Sequence, residues 1–335
     1  MEITPLIWTV TLALIIGLLV FDYVFHVRRA HVPTIGEAAL WSSVYIGIAL
    51  VFGLGFIILG DHQHAVEYYA GYLTEKALSV DNLFVFLVIM ASFKVPREYQ
   101  QKVLLFGITF ALISRTALIF LGAAIIERFS GVFYLFGVAL LLVAGQQLRG
   151  QLTGDKKGRD EADNIMIRLA TRVLPSSEDY HGDRPLTRVE GRRLMTPMLL
   201  VMVAIGATDL LFAFDSIPAI FGLTQEPYIV FTATAFSLMG LRQLYFLIDG
   251  LLDRLVHLSF GLAAILGFIG IKLILHALHE NTLPFISGGQ SVPVREVPTL
   301  LSLVVIMSIL AVTVATSLLS PRGRALSRPA RPLGP

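Results

Sequence analysis

Four carboxylates stand in two short motifs that interrupt otherwise apolar stretches of the chain. EKALSVDN carries Glu75 and Asp81, and TDLLFAFDS carries Asp209 and Asp215. The two acids of each motif are six residues apart. A charged side chain near the centre of a bilayer costs at least ~2.5–3.5 kcal/mol, so such residues are rarely retained without a partner or a function. The two motifs therefore predict a buried cation site.

The donor atoms around these acids favour a hard divalent cation such as Mn²⁺, Mg²⁺ or Ca²⁺. Ser79, Asn82 and Ser216 add hydroxyl and amide oxygens, and the chain has no cysteine. All eight histidines fall in loops or near the ends of the apolar stretches. A site of oxygen ligands argues against Zn²⁺ or Cu⁺ as the main ion. We expect no bound cofactor beyond such an ion.

Basic side chains in the same apolar stretches partly offset the acids. Arg115 and Arg242 each lie in the middle of the stretch that follows an acidic motif, and Lys76 lies within the first motif. Protons would compete with a divalent ion for the remaining negative charge, which suggests proton-coupled exchange as a hypothesis. The alternative is that the acids and arginines form structural ion pairs, or that the arginines hold helices together. Asp22, near the end of the first stretch, is interpreted as reaching the membrane interface.

The composition requires that lipid solvate most of the chain. Of its 335 residues 55% are hydrophobic and 15% are charged, and the mean hydropathy is +0.74. A helix needs about 20 apolar residues to cross a bilayer. This window predicts an all-α, polytopic bundle of about nine transmembrane helices, at 6–25, 39–60, 69–93, 102–126, 131–149, 197–221, 228–250, 256–278 and 298–319.

The chain divides at a charged segment, residues 151–194, which we interpret as a hydrophilic cytoplasmic loop. The first five helices lie in 1–150, the last four lie in 195–320, and a basic tail occupies 321–335. Loops on one side hold 20 of the 26 Lys and Arg residues, loops on the other side hold 2, and four lie within spans. This asymmetry predicts a multi-pass protein of the cell membrane, with its N-terminus outside and its C-terminus in the cytoplasm. The basic loop suits anionic lipid or membrane-protein partners, and no nucleic acid is expected.

The two acidic motifs belong to an internal repeat. Each is followed by an apolar half-span, a proline-containing turn and a helix with one mid-span arginine. The repeats cover helices three to five (about 69–149) and six to eight (about 197–278). Because the offset is three helices, the copies must cross the membrane in opposite directions, an arrangement that many transporters use around a site near the midplane.

Six residues of a regular helix turn through 600°, which leaves the two acids of one motif about 120° apart. If both line one site, the helix must unwind or bend between them. Pro218, three residues after the second acid of its motif, favours such a disruption in the sixth span.

The sequence resembles the TerC family of integral membrane proteins at GYLTEKALSVDNLFVF and TDLLFAFDSIPAIF. The resemblance extends through VPREYQQKVLLFGI, GLRQLYFLI and GFIGIKLIL. It implies inverted repeats of the LysE transporter type, an activity in manganese export or tellurium resistance, and the four motif acids as metal ligands. Many members carry a glutamate three residues before the first aspartate of the second motif, where this chain has Gly206.

Together these features predict export of Mn²⁺ or a similar divalent ion. The rival interpretation is a non-transporting membrane partner, in tellurite resistance or in metal loading and assembly of membrane and exported proteins, that uses the 151–194 loop. An enzyme is not expected, because the chain contains no nucleophile triad, phosphate loop or cofactor motif.

Overall fold

The computed structural model describes residues 3–27, 32–129, 131–153, 186–189, 192–248, 257–280 and 290–320. Its helices are α1 (Pro5–Asp22, extended by a π-helical turn, Tyr23–Val27), α2 (Ile35–Ile58), α3 (His62–Ser92), α4 (Arg97–Arg128), α5 (Val132–Thr153), α6 (Pro197–Phe221), α7 (Pro227–Leu238), α8 (Leu241–Ile248), α9 (Leu258–His279) and α10 (Thr299–Leu319). A hairpin of β1 (Leu186–Val189) and β2 (Arg192–Met195) precedes α6.

The predicted polytopic helical bundle is confirmed. Within the described residues, eight helical segments are long and apolar enough to span a membrane, with α7 and α8 together forming one of them. The remaining predicted span, 69–93, lies in α3, whose 31 residues extend about 46 Å. Its polar residues lower its hydropathy, and it is buried among other helices rather than facing lipid. The 151–194 loop and the 321–335 tail lie mostly or wholly outside the described residues, and the hairpin occupies the end of the loop.

The helices of the two predicted repeats pack as exchanged pairs. α3 packs against α7, α4 packs against α6, and α5 packs against α9. If the two repeats are interchanged, the pair of α3 and α7 becomes the pair of α6 and α4, and the pair of α5 and α9 stays the same. A twofold relation between the repeats produces this pattern. The turn after α6 contacts the beginning of α3, because Thr224 Oγ1 donates to Glu67 Oε2 over 2.6 Å. The first helices of the two repeats therefore run in opposite directions.

Helices α5 and α9, which are equivalent in the two repeats, cross each other at two glycines. A Cβ added at Gly137 would lie 2.9 Å from the carbonyl oxygen of Gly270. A Cβ at Gly270 would lie 3.0 Å from the carbonyl oxygen of Gly137. Small residues at such a crossing allow the two backbones to approach closely, as is common between membrane helices.

The break in the helices lies in the seventh span, and the expectation of a break between the motif acids is wrong. α3 and α6 are continuous, and α6 contains Pro218 in its last turn and continues to Phe221. α7 ends instead at Leu238. Gly240 has a φ of +73°, a conformation that favours glycine, and α8 starts directly after it.

Candidate functional site

Arg115 is at the centre of the bundle and is completely buried. Its Nε and Nη2 donate to the two carboxylate oxygens of Asp209, over 3.2 and 3.0 Å. Its Nη1 forms an ion pair with Glu75 Oε1 and donates to Ser216 Oγ over 3.2 Å. One guanidinium on α4 thus joins the acidic motifs of both repeats, and it neutralises only one of the two carboxylates that it contacts.

Several oxygens near this ion pair have no hydrogen-bond partner within the described part of the chain. They are Glu75 Oε2, Ser79 Oγ and Thr74 Oγ1, and all three residues are fully buried on α3. Glu75, Ser79 and Asn82 follow at four and three residues, so they lie on one face of the helix. Buried polar atoms without a partner are costly, and in a native protein they often mark a functional site. These oxygens are suited to receive a cation or its water.

Asp81 and Asp215 are the second acids of the two motifs. Asp81 is buried on α3, Asp215 is half-buried on α6, and the charges of Arg115 and Asp81 both act on the Asp215 carboxylate. The structure therefore joins Glu75 and Asp209 at Arg115, and electrostatic interactions link Asp215 to Arg115 and to Asp81. Because α3 is continuous, Glu75 and Asp81 still point in directions about 120° apart.

Arg242 does not belong to this region, contrary to the expectation from the repeat. Its Nε and Nη2 donate to the two oxygens of Asp22 over 3.1 and 2.7 Å, and its Nη1 contacts Gln101 Oε1. Tyr45 and Gln243 also donate to the same carboxylate, over 3.0 and 2.9 Å. The interpretation of Asp22 as an interfacial residue is therefore wrong, because it is the buried counter-ion of Arg242.

Lys76 has a structural task that the sequence did not reveal. Its Nζ donates to the backbone oxygens of Ser237 and Met239, over 2.9 and 3.3 Å, at the end of α7. A helix that ends inside a membrane leaves carbonyl groups without partners, and a cation there also favours the negative end of the helix dipole. Lys76 thus stabilises the break between α7 and α8.

In this conformation the acids do not form a closed metal cage. Among the described residues, no group of three or more His, Asp or Glu side chains is close enough together to hold a metal ion. Arg115 occupies the space between Glu75 and Asp209 instead. The geometry is that of a buried acidic region whose charge is partly balanced by the Arg115 guanidinium.

Gly206, three residues before Asp209, faces an aromatic ring. A Cβ at this position would lie 3.0 Å from Cδ1 and 3.2 Å from Cε1 of Phe110 on α4. A side chain at position 206 would therefore require the Phe110 ring to shift.

A family model described as the integral membrane protein TerC family matches residues 60–325. The chain belongs to the TerC family of integral membrane proteins. The match includes both acidic motifs and all helices from α3 to α10.

Relatives of this TerC chain come from bacteria and plants. An uncharacterized membrane protein of Mycobacterium tuberculosis is 58% identical over 331 residues, which cover 99% of this chain and 83% of that protein. The thylakoid membrane protein TERC of Arabidopsis thaliana is 41% identical over 70% of this chain and 60% of its own length. Alx of Escherichia coli, named as a candidate membrane-bound redox modulator, is 36% identical over 81% of this chain and 86% of its own length. No solved structure matches this chain.

Proposed function

We propose that this TerC protein transports a hard divalent cation, with Mn²⁺ as the first candidate, out of the cell by alternating access between its two repeats. The observation that carries the proposal is the position of Arg115 between Glu75 and Asp209, beside buried oxygens that have no partner among the described residues. A site of this kind holds a positive charge in every state: Arg115 when it is empty and the transported ion when it is loaded.

Exchange between the two charges gives the transport cycle. An incoming ion would contact Asp81 and Asp215 first, because the guanidinium already holds Glu75 and Asp209. It would then draw Glu75 and Asp209 away from Arg115, with Ser79, Asn82 and Ser216 as neutral oxygen ligands. Carboxylate, amide and hydroxyl oxygens are the ligands that Mn²⁺, Mg²⁺ and Ca²⁺ prefer. Return of Arg115 to the two acids would release the ion on the other side.

The exchanged packing of the repeats supplies the moving parts. α3 and α6, which carry the acids, each pack against a helix of the other repeat. A change in the angle between the repeats would therefore shift the two acidic motifs relative to each other, and alternating access in many transporters has this form. Protons that replace the ion on Asp81 or Asp215 would couple the cycle to a pH gradient.

The test is flux of ⁵⁴Mn²⁺ in proteoliposomes, with wild type compared with Asp81→Asn and Asp215→Asn. These two acids are the right targets because their loss does not remove the carboxylates that directly hold buried Arg115. We expect the wild type to carry Mn²⁺ and the transport rate of each variant to fall at least about tenfold. Such a fall corresponds to an activation free energy raised by ~1.4 kcal/mol. Glu98→Gln, an exposed carboxylate at the start of α4, is the matched control. Wild-type flux in both motif variants, or no flux in any folded protein, would refute the proposal.

Deletion of residues 154–185 distinguishes the transporter from the rival function, a membrane partner that does not transport ions. This deletion removes most of the charged loop and leaves α5 and the β1–β2 hairpin intact. A transporter should keep its ⁵⁴Mn²⁺ flux after the deletion. A partner protein would show no flux in either form and would lose its cellular function with the loop.

A further inference from the structure

A cavity of about 450 Å³ opens at the end of the bundle that is opposite to the 151–194 loop. Four elements form it: the first turns of α3, the turn after α6, the end of α9 and the segment before α10. By the predicted orientation this end faces the outside of the cell. The polar side chains that line it include Gln63, Glu67, Thr224, Lys272, His276 and Glu296.

The cavity carries two carboxylates and one ammonium group. Glu67 is buried, and its two oxygens accept hydrogen bonds from Gln63 Nε2 at 2.9 Å and Thr224 Oγ1 at 2.6 Å. Glu296 is half exposed, and its Oε1 lies 2.6 Å from His276 Nδ1. Lys272 interacts electrostatically with both glutamates. Two carboxylates face one ammonium group, so the net charge of these three groups is negative and attracts cations.

The size of the cavity fits a hydrated ion better than a bare one. A water molecule takes about 30 Å³ of liquid volume, so a shell of six waters needs roughly 180 Å³. That volume fits within the cavity. The glutamates already accept hydrogen bonds from neighbouring side chains, so they are not arranged to surround a bare ion. A hydrated ion needs no closed cage of charged ligands, because its water molecules donate hydrogen bonds to the carboxylates. Mg²⁺ in particular keeps several of its waters when it binds to proteins.

The face of α3 that carries Glu67 continues inward towards the Arg115 ion pair. Glu67, Thr74 and Asp81 are spaced seven residues apart, so they share one helix face with a drift of about 20° per step. Thr74 lies between the two acids with an unpartnered hydroxyl. At Gly71 this face packs closely against the second repeat, since a Cβ there would lie 3.2 Å from Ala233 Cβ and 3.5 Å from Ile220 Cγ2. A hydrated ion in the cavity would be stopped at this close contact in the present conformation.

We propose that this outer cavity is a second cation site, which holds a hydrated divalent cation through water against Glu67 and Glu296. The proposal rests on the proposed transport function, in which the cavity is the last binding site before the ion is released. Lys272 acts there as the resident positive charge, so an ion that has passed Gly71 is held weakly and leaves to the outside.

The probe is hexaamminecobalt(III), a complex of the size of a hydrated divalent ion that does not exchange its ammonia ligands. Binding is measured by equilibrium dialysis of the full-length protein in phosphatidylcholine nanodiscs, with bound cobalt determined by elemental analysis. We expect wild type to bind one complex, Glu67→Gln and Glu296→Gln to bind it about tenfold more weakly, and Lys272→Met to bind it more tightly. Glu127→Gln, which removes an exposed carboxylate at the same end of the bundle, should bind like wild type.

Equal binding by wild type, Glu67→Gln and Glu296→Gln would overturn the outer site, whatever the protein transports. The dialysis needs no transport, so a failure of ⁵⁴Mn²⁺ flux in wild type would refute the proposed function without deciding the cavity. Where wild type does carry ⁵⁴Mn²⁺, the complex added on the outer side should inhibit flux. Glu67→Gln should require about tenfold more complex for the same inhibition, and unchanged inhibition would count against the site.

Discussion

Arg242 on α8 and Asp22 at the end of α1 form a two-pronged ion pair, with hydrogen bonds of 3.1 and 2.7 Å to the two carboxylate oxygens. α1 lies outside both repeats, so this contact has no counterpart at Arg115, the equivalent residue of the first repeat. Arg115 contacts the acids of the two motifs, whereas Arg242 is held away from them. The two repeats thus differ at their arginines. Arg115 binds the acidic motifs, and Arg242 binds α1, which lies outside both repeats.

We expect Asp22→Asn to lower the thermal stability of the protein strongly. Removal of one partner from a buried ion pair leaves the other charge unpaired, which costs about 3–5 kcal/mol. The double change Asp22→Asn with Arg242→Gln removes both charges and should recover part of the loss. Melting temperatures of the purified variants in detergent measure both effects. Melting of Asp22→Asn at the wild-type temperature would contradict the buried pair.

Arg115→Gln should make the protein depend on an added divalent ion. Without the guanidinium, Glu75 and Asp209 are two buried carboxylates with no counter-charge between them, and the apo protein should melt at a lower temperature. Mn²⁺ should restore stability, because a ligand at 100 times its Kd contributes about 2.7 kcal/mol.

The measurement is the melting temperature with and without Mn²⁺ for Arg115→Gln, Arg115→Lys and Arg242→Gln. The lysine keeps the charge but not the planar set of donors, so its dependence on Mn²⁺ should be intermediate. Arg242→Gln is unstable for a different reason, and Mn²⁺ should not rescue it. Equal Mn²⁺ responses in the two glutamine variants would argue against exchange between Arg115 and the ion.

The sequence was sufficient to predict the helical bundle, and the two acidic motifs that it singled out meet at Arg115. Long apolar stretches and matched motif spacing are local signals, and they survive folding because lipid forces each stretch into a helix. The partners of the charges could not be predicted in the same way. Asp22 and Arg242 are 220 residues apart, and only the packing of α1 against the second repeat brings them together.

The location of the helix break was also hidden from the sequence. Pro218 suggested a break in the sixth span, but α6 continues past it to Phe221, so the missing N–H of this proline does not end the helix. Gly240 gave a weaker signal, because glycine occurs in many unbroken membrane helices. The decisive interaction is the contact of Lys76 with two carbonyl groups across the bundle, which no local pattern encodes.

Gly240→Ala should destabilise the break between α7 and α8. The residue has a φ of +73°, and an added Cβ would lie 2.8 Å from Tyr45 Cβ on α2. Strain at a positive φ together with overpacking costs about 1–3 kcal/mol. Gly55→Ala within α2 has open space around its Cβ and should be neutral or slightly stabilising. Melting temperatures compare the two, and an equal response would mean that the break tolerates an ordinary residue.

Gly206 offers a test of how the number of acids sets metal affinity. A glutamate there would add a carboxylate one helical turn before Asp209, but its Cβ would lie 3.0 Å from the Phe110 ring. We therefore expect Gly206→Glu alone to lose stability, and Gly206→Glu combined with Phe110→Ala to bind Mn²⁺ about tenfold more tightly than wild type, since affinity rises with ligand charge. Titration of Mn²⁺ followed by electron paramagnetic resonance measures the affinity. Gly206→Gln with Phe110→Ala has the same shape without the charge and should bind like wild type. If the glutamate and glutamine proteins bind Mn²⁺ equally, the acids on α6 do not form part of the ion site.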